Sequence, residues 1–390
     1  MMNLFSDDIR RNPFPLYEQV RSSAPVFHMP DTEMWMLFDY EGVKRALYDH
    51  EAFSSVVTPP TGKAPDWLVF SDPPRHTKLR GIIMRAFTPK SIASLEPRVR
   101  ELSRELLEPQ LERGEMDLAA DYSSPLPAMV IAEMLGIPLV DRPRFLRWGE
   151  VIMNLSHTVS GGEEAQRAVQ EHASVKEEMR AYLADVLAER RKAPKDDLLT
   201  RLVEAEVDGE HLTLEELLGF FQLLLAAGTE TTTNLINNAI LCLLEHPDQL
   251  ARLRAEPTLL PSAIEEVLRF RSPGQMMFRE TRRDIELHGE VIPAGKFVLA
   301  VIGSANRDPL KFHDADRFDI TRDPNPHIAF GHGIHFCLGA ALSRLEARVA
   351  LEDLLARLKG LELASTEPWE PRKALHVHGP SRLPIRFAPS

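Results

Sequence analysis

Cysteine is nearly absent from the chain. Only Cys242 and Cys337 occur in 390 residues, which excludes a disulfide framework and any zinc site built from several thiolates, and fits a reducing cytoplasm. Positive charge is also in deficit: 46 basic against 58 acidic side chains leave a formal charge of -12. Nucleic acid and anionic membrane are therefore not expected partners. The opening stretch MMNLFSDDIRRNPFPLYEQV has charges of both signs and two prolines where a signal peptide or membrane anchor needs an apolar run, so neither export nor anchoring is expected. There is no internal repeat, Gly/Ser linker or low-complexity tract, and the Pro-rich run 322–326 is too short to act as a linker between domains. With 44% hydrophobic and 27% charged residues, the composition is that of a globular chain with a large core. One domain over residues 1–390 is expected, although the length exceeds the usual domain size.

What is present is mostly helical pattern. A short helix is predicted from Pro15 to Ser22, then strands at Pro25 to His28 and Trp35 to Phe38 joined across Pro30-Asp31, then a helix from Tyr40. Leu95 to Glu112 and Val175 to Arg191 carry apolar residues at helical spacing. Strand signals return in Asp284 to Leu299 and around Leu375 to Phe387. The fold class expected is mainly α with small β-sheets.

Thr213-Leu-Glu-Glu216 reads as a capping box opening a helix that meets no proline until Pro247, a run of roughly 33 residues and ~50 Å. The stretch LGFFQLLLAAG is apolar on nearly every side, so the helix is expected to be buried. In its middle, Ala227-Gly-Thr-Glu-Thr-Thr-Thr233 places a glycine, β-branched residues and the carboxylate of Glu230 in that interior, each at a cost. One reading is a functional distortion; the other is a solvated bend whose hydroxyls bond back to preceding carbonyls.

The sharpest signal is Phe330-Gly-His-Gly-Ile-His-Phe-Cys-Leu-Gly339, followed by a predicted helix from Leu338 to Leu358. A cysteine at a helix entrance meets free amides and the positive end of the dipole, which favour a thiolate, while Gly331, Gly333 and Gly339 let the backbone fold tightly around sulfur. Cys242, inside the long helix, reads instead as a small hydrophobe.

This loop resembles the signature F-G-x-G-x-H-x-C-x-G of the cytochrome P-450 family, the haem-thiolate monooxygenases, without departure. The resemblance extends over essentially the whole chain. Ala227, Gly228, Glu230 and Thr231 match the family pattern [AG]-G-x-[DE]-T, and Glu266-Val-Leu-Arg269 matches E-x-x-R, whose buried ion pair implies Arg317 as a third member. The resemblance implies a long central helix over haem b with the cysteine loop beneath it. It further implies Cys337 as the iron ligand, Phe330, Gly331, Gly339, Ala227 and Gly228 against the cofactor, and His76, Arg80, Arg279 and His335 at its propionates. Glu230 and Thr231 would pass protons to bound oxygen, with thiolate donation favouring O–O cleavage.

The implied activity is hydroxylation or epoxidation of a hydrophobic molecule of terpenoid, steroid, fatty-acid or polyketide type by a monomer. Electrons come from NAD(P)H through a ferredoxin or flavodoxin and its reductase, since no flavin-type or iron–sulfur motif is present. Arg344 and Arg348 offer a docking patch for that donor, or merely pair with Glu346 and Glu352. Pocket linings by the same resemblance are 56–70, 152–160 and 274–278, with Leu223, Ala227, Met276, Met277, Phe278, Val377 and His378. A peroxide-driven relative or a haem-based sensor is the alternative; the intact Glu230-Thr231 argues against the first and the lack of room for an output domain against the second.

Overall fold

The computed structural model describes residues 6–29, 33–57, 67–154, 162–207, 209–374 and 376–389. They form two compact units, Met1–Ser55 with Ser103–Pro125 and Thr231–Ser390, and Val56–Leu102 with Leu126–Glu230. The predicted turn at Pro30-Asp31, Leu375, and residues 58–66 and 155–160 of the predicted linings lie outside the described residues.

The first unit is built on a five-stranded sheet in the order Val26–Met29, Met34–Leu37, Phe297–Ala300, Met277–Thr281, Phe53–Ser54. The Met34–Leu37 strand pairs parallel with Phe297–Ala300, and the other pairings are antiparallel. Alternation divides its side chains between two cores. Trp35, Leu37, Val298 and Ala300 pack with Val43 and Phe53 in one; Met36, Phe38, Leu299 and Val301 pack with Phe14 and Tyr17 in the other. The helix Tyr40–Tyr48 follows because Asp39 accepts from the Gly42 amide at 2.9 Å, satisfying an orphan donor. Short strands Glu115–Asp117, Glu362–Leu363 and Pro384–Arg386 form a second sheet. The first two have no hydrophobic alternation to announce them.

In the second unit, helices dominate. Gly162–Lys192 runs for 31 residues, and Phe221 meets Phe145 and Trp148 edge-to-face at 5.6 and 6.1 Å, while Phe145 and Trp148 tilt against each other at 6.5 Å. These rings pin the first half of the long helix by apolar burial, each costing about 3–5 kcal/mol if truncated. Arg190 meets Asp197 at 2.6 Å and donates to the Gly136 carbonyl at 3.0 Å. Gly136 has φ +66°, and a Cβ there would lie 2.3 Å from the Asp197 carboxylate, so glycine is required.

The long helix spans Leu214–Glu245 without a break and passes from one unit to the other between Glu230 and Thr231. Its capping box forms as predicted: Glu216 accepts from the Thr213 amide at 2.9 Å, and Thr213 Oγ1 from the Glu216 amide at 3.3 Å.

Candidate active site

The loop 330–339 closes on itself. The Cys337 amide donates to the Phe330 carbonyl at 2.8 Å, and Gly331 and Gly333 take φ values of +75° and +73°. Side chains there would add strain of roughly 1–2 kcal/mol each. At Gly333 the space is also closed, since a Cβ would lie 2.7 Å from the Tyr48 Cα. The loop therefore lies directly on the helix Tyr40–Tyr48. The following helix is Ala340–Arg357, two residues shorter at its start than predicted, with Gly339 as N-cap and no side-chain cap. Its first turn leaves backbone amides beside the half-buried Cys337. Cys242, by contrast, is fully buried, and burial pushes its thiol up to about 11.

A clamp that the sequence did not reveal fixes the loop from the other side. Arg344 lies 4.4 Å from the Phe330 ring centroid and bonds both oxygens of Glu265 at 2.7 Å. His327 meets the same carboxylate at 3.0 Å. Burial opposes the charge on Glu265, but hydrogen bonds from Arg344 and His327 outweigh it and bring its pKa down to about 2. The Arg344 guanidinium is held charged, first by Glu265 and in smaller part by the nearby Cys337 sulfur. Arg348 pairs with Glu352 at 3.3 Å, as the bland alternative anticipated. Arg344 does not pair with Glu346, which is 1% exposed inside the helix packing.

Glu265 precedes the predicted ion pair. Glu266 and Arg269 are both fully buried and joined by two bonds of 2.8 Å. The third member is a correction: Arg322, not Arg317, reaches Glu266, at 3.1 and 3.2 Å. Arg317 contributes only its carbonyl, which accepts from Arg269 and from Arg322. The reason is its neighbour: Phe318 is 2% exposed and packs on His246 and Phe270, so Arg317 is turned to solvent. Glu266 also accepts from the Asp319 amide and from Asn325, so the buried carboxylate is fully coordinated.

Elsewhere in this unit, Arg279 stands opposite Val298, 2% exposed, donating to the carbonyls of Ala46 at 3.1 Å and Phe278 at 2.7 Å. It thus shares with Gly333 the support of the helix Tyr40–Tyr48. His335 ends a short turn, Gly333–His335. Thr231 is half-buried, and its neighbour Thr232 donates to Ser343 at 3.2 Å, tying the long helix to the one that follows Cys337. Thr233 donates to the Ser123 carbonyl, while Thr229 bonds back to Leu225. The threonine run is therefore a set of packed contacts in an unbroken helix, neither a distortion nor a bend, although Thr229 makes the back-bond expected of the second reading. Met276 and Phe278 join the second core and Met277 the first, while Val377 is 7% exposed in a bridge with Gly274.

In the second unit, His76 is buried and Arg80 half-buried one turn apart on the helix Arg75–Ala86. Glu230 is buried, Leu223 half-buried and Ala227 exposed on the long helix. Gly228 is required there, since a Cβ would approach Ile131 to 2.7 Å.

The donor set decides what Cys337 can hold. Among the described residues no group of three or more His, Cys, Asp or Glu side chains is arranged for a metal ion. One thiolate supplies one ligand, so a metal held there has to arrive in a macrocycle that brings the rest. In the first unit, the buried Arg279 guanidinium suits the acidic edge of such a group.

The comparisons agree with this chemistry. The family model described as cytochrome P-450 matches residues 12–379. Cytochrome P-450 109 of Bacillus spizizenii is 40% identical over 393 residues, 99% of this chain and 95% of the relative. Vitamin D(3) 25-hydroxylase of Pseudonocardia autotrophica is 38% identical over 400 residues, covering 99% and 96%. The crystal structure of CYP109E1 from Bacillus megaterium in complex with corticosterone matches with a TM-score of 0.90 at 39% identity, over 98% of this chain and all of that one. The chain belongs to the cytochrome P-450 family, the haem-thiolate monooxygenases.

Proposed function

We propose that the Cys337 thiolate would hold the iron of haem b and that Glu230 and Thr231 would deliver protons to the oxygen side. The observation that carries this reading is the closed loop from Phe330 to Cys337 at a helix entrance, with its two glycines at positive φ. Haem b, once bound, supplies dioxygen activation and transfer of one oxygen atom to a hydrophobic substrate. The chain's residues do the rest. Loop amides and the helix dipole hold the Cys337 sulfur as an anion. The guanidiniums of Arg80 and Arg279 would neutralise the propionates, and the imidazoles of His76 and His335 would donate hydrogen bonds to them. Phe330, Gly331, Gly339, Ala227 and Gly228 offer ring and bare backbone against a flat face. The Thr231 hydroxyl orients the oxygen side, and the Glu230 carboxylate, buried one residue earlier, hands protons inward.

Electrons come from separate redox partners. A ferredoxin or flavodoxin with an NAD(P)H reductase is the donor we infer for a monomeric, cytoplasmic enzyme. Among the described residues, no helix is long and apolar enough to cross a membrane. The family match across both compact units supports one catalytic domain over residues 1–390. Leu223, Ala227, Met276, Met277, Phe278 and Val377 are the proposed pocket lining. A relative named for vitamin D(3) hydroxylation and another solved with corticosterone support a steroid-sized apolar substrate.

The test is turnover of a steroid and terpenoid panel with a surrogate ferredoxin, its reductase, NADPH and isotopically labelled dioxygen. One labelled oxygen atom per product molecule is expected. Product without the label, or turnover with peroxide and none with dioxygen and the reduced ferredoxin, would contradict the assignment.

A further inference from the structure

Seven residues beyond Thr231 on the long helix lies Asn238, a polar side chain with no exposed surface. Its Nδ2 donates to two carbonyls at once, Arg271 at 3.0 Å and His378 at 3.0 Å. Arg271 ends the helix Leu260–Phe270. His378 belongs to a tail segment that zips onto the chain just after that helix: the His378 amide donates to Pro273 at 2.8 Å, the Gln275 amide to His376 at 2.8 Å, and Gly274 faces Val377 between them. One turn earlier, Asn234 abuts the next tail residue so closely that a Cβ on Gly379 would lie 2.5 Å from its Oδ1. Positions 231, 234 and 238 recur at helical spacing and share one side of the helix.

We propose that Asn238 is a positioning residue for substrate selectivity. Its two-pronged amide keys the paired segments 273–275 and 376–378, and with them Val377, to the same helix that carries Thr231, about 10 Å along the axis at 1.5 Å per residue. The distance between the oxygen-handling hydroxyl and the Val377 wall is then set by one rigid element rather than by the tail's own packing. A side chain with fewer than two donor hydrogens cannot reproduce this contact, because both acceptors are backbone carbonyls. Gly379 supports it from the adjacent position, where any side chain would push the tail off the helix. The proposal rests on the reading that Val377 lines the pocket.

Two azoles test it in the haem-loaded enzyme, imidazole and clotrimazole, which both bind the iron through nitrogen and differ in bulk. Their dissociation constants are read spectroscopically for the parent, Asn238→Leu, Gly379→Ala and Val377→Ala. Clotrimazole affinity is expected to change about fivefold or more in all three variants, equivalent to about 1 kcal/mol. Imidazole affinity and the reduced carbonyl band should stay as in the parent. A clotrimazole shift in Val377→Ala alone would overturn the role of Asn238 while leaving the pocket reading intact. No shift in Val377→Ala would remove the pocket reading and the proposal together. Loss of haem from both Asn238→Leu and Gly379→Ala would assign the contact to folding and likewise overturn it.

Discussion

Glu266 faces two guanidiniums inside the first unit, and the two contribute unequally. Arg269 has no exposed surface, so Arg269→Ala leaves a buried carboxylate short of its main partner and is expected to cost about 3–5 kcal/mol. Arg322→Ala removes charged hydrogen bonds at the rim of the same carboxylate and is expected to cost about 1.5–3 kcal/mol. Arg317→Ala should stay within about 0.5 kcal/mol, since its carbonyl remains. Urea midpoints of the three variants check this order, and equal costs for Arg317 and Arg322 would restore the sequence-based assignment. That assignment failed because side-chain direction in Asp-Arg-Phe is set by where Phe318 packs. The Arg344–Glu265 clamp was hidden for a different reason, the sequence separation of 79 between its partners. Cys337 needed no such knowledge, since the glycines and aromatic residue of its signature lie within ten residues of it in sequence. For Thr231, replacement by Ala is expected to lower product formed per NADPH by about tenfold or more and raise peroxide, with haem and substrate binding preserved. An unchanged ratio would remove the hydroxyl from the proton path.

Among elements, the long helix was legible end to end because its start is a local capping box and its stop a proline. The predicted helices near Leu95 and Val175 were legible through periodicity, although the second already begins at Gly162, while the helices near Pro15 and Tyr40 and the strands at Val26 and Met34 were legible through short runs between turns. Short strands such as Glu115–Asp117 were not, because they are defined by their partners rather than by their own pattern. The cysteine loop is an element of the same kind: its glycines could be counted, but the support of Gly333 on Tyr48 is tertiary. Gly333→Ala is therefore expected to cost more than the roughly 1–2 kcal/mol of backbone strain, because the obstructing atom is backbone. A lowered thermal midpoint and a smaller red-shifted carbonyl band per chain would show this. A variant matching the parent in both would mean that the loop can move off the helix.

At the scale of the molecule, two buried groups set opposing pH slopes. Burial pushes the His378 imidazole from 6.5 down to about 3, so from pH 6.5 downward the unfolded chain binds a proton that the folded chain refuses. Stability from this group is present above 6.5 and is lost as pH falls toward 3. Burial raises the Glu346 carboxyl from 4.5 to about 8, so the folded chain keeps a proton that the unfolded chain releases. That contribution is present below 4.5 and is lost as pH rises through 8. Between 6.5 and 8, Glu346→Gln should flatten the decline in urea midpoint that the parent shows; an unchanged slope would mean that Glu346 ionises in the folded state. The fold class of the whole chain was legible because helical pattern dominates, whereas its division into two units was not, since each is assembled from distant segments.

On the proposed reading, oxygen chemistry at this site rests on Cys337 as a thiolate ligand, and the reduced carbonyl difference spectrum of the purified protein beside Cys337→Ser tests that role most directly. The parent is predicted to give the red-shifted band of thiolate-ligated haem, and the variant to lose that band while remaining folded. A parent spectrum at the position typical of histidine-ligated haem, or a red-shifted band that survives in Cys337→Ser, would contradict it.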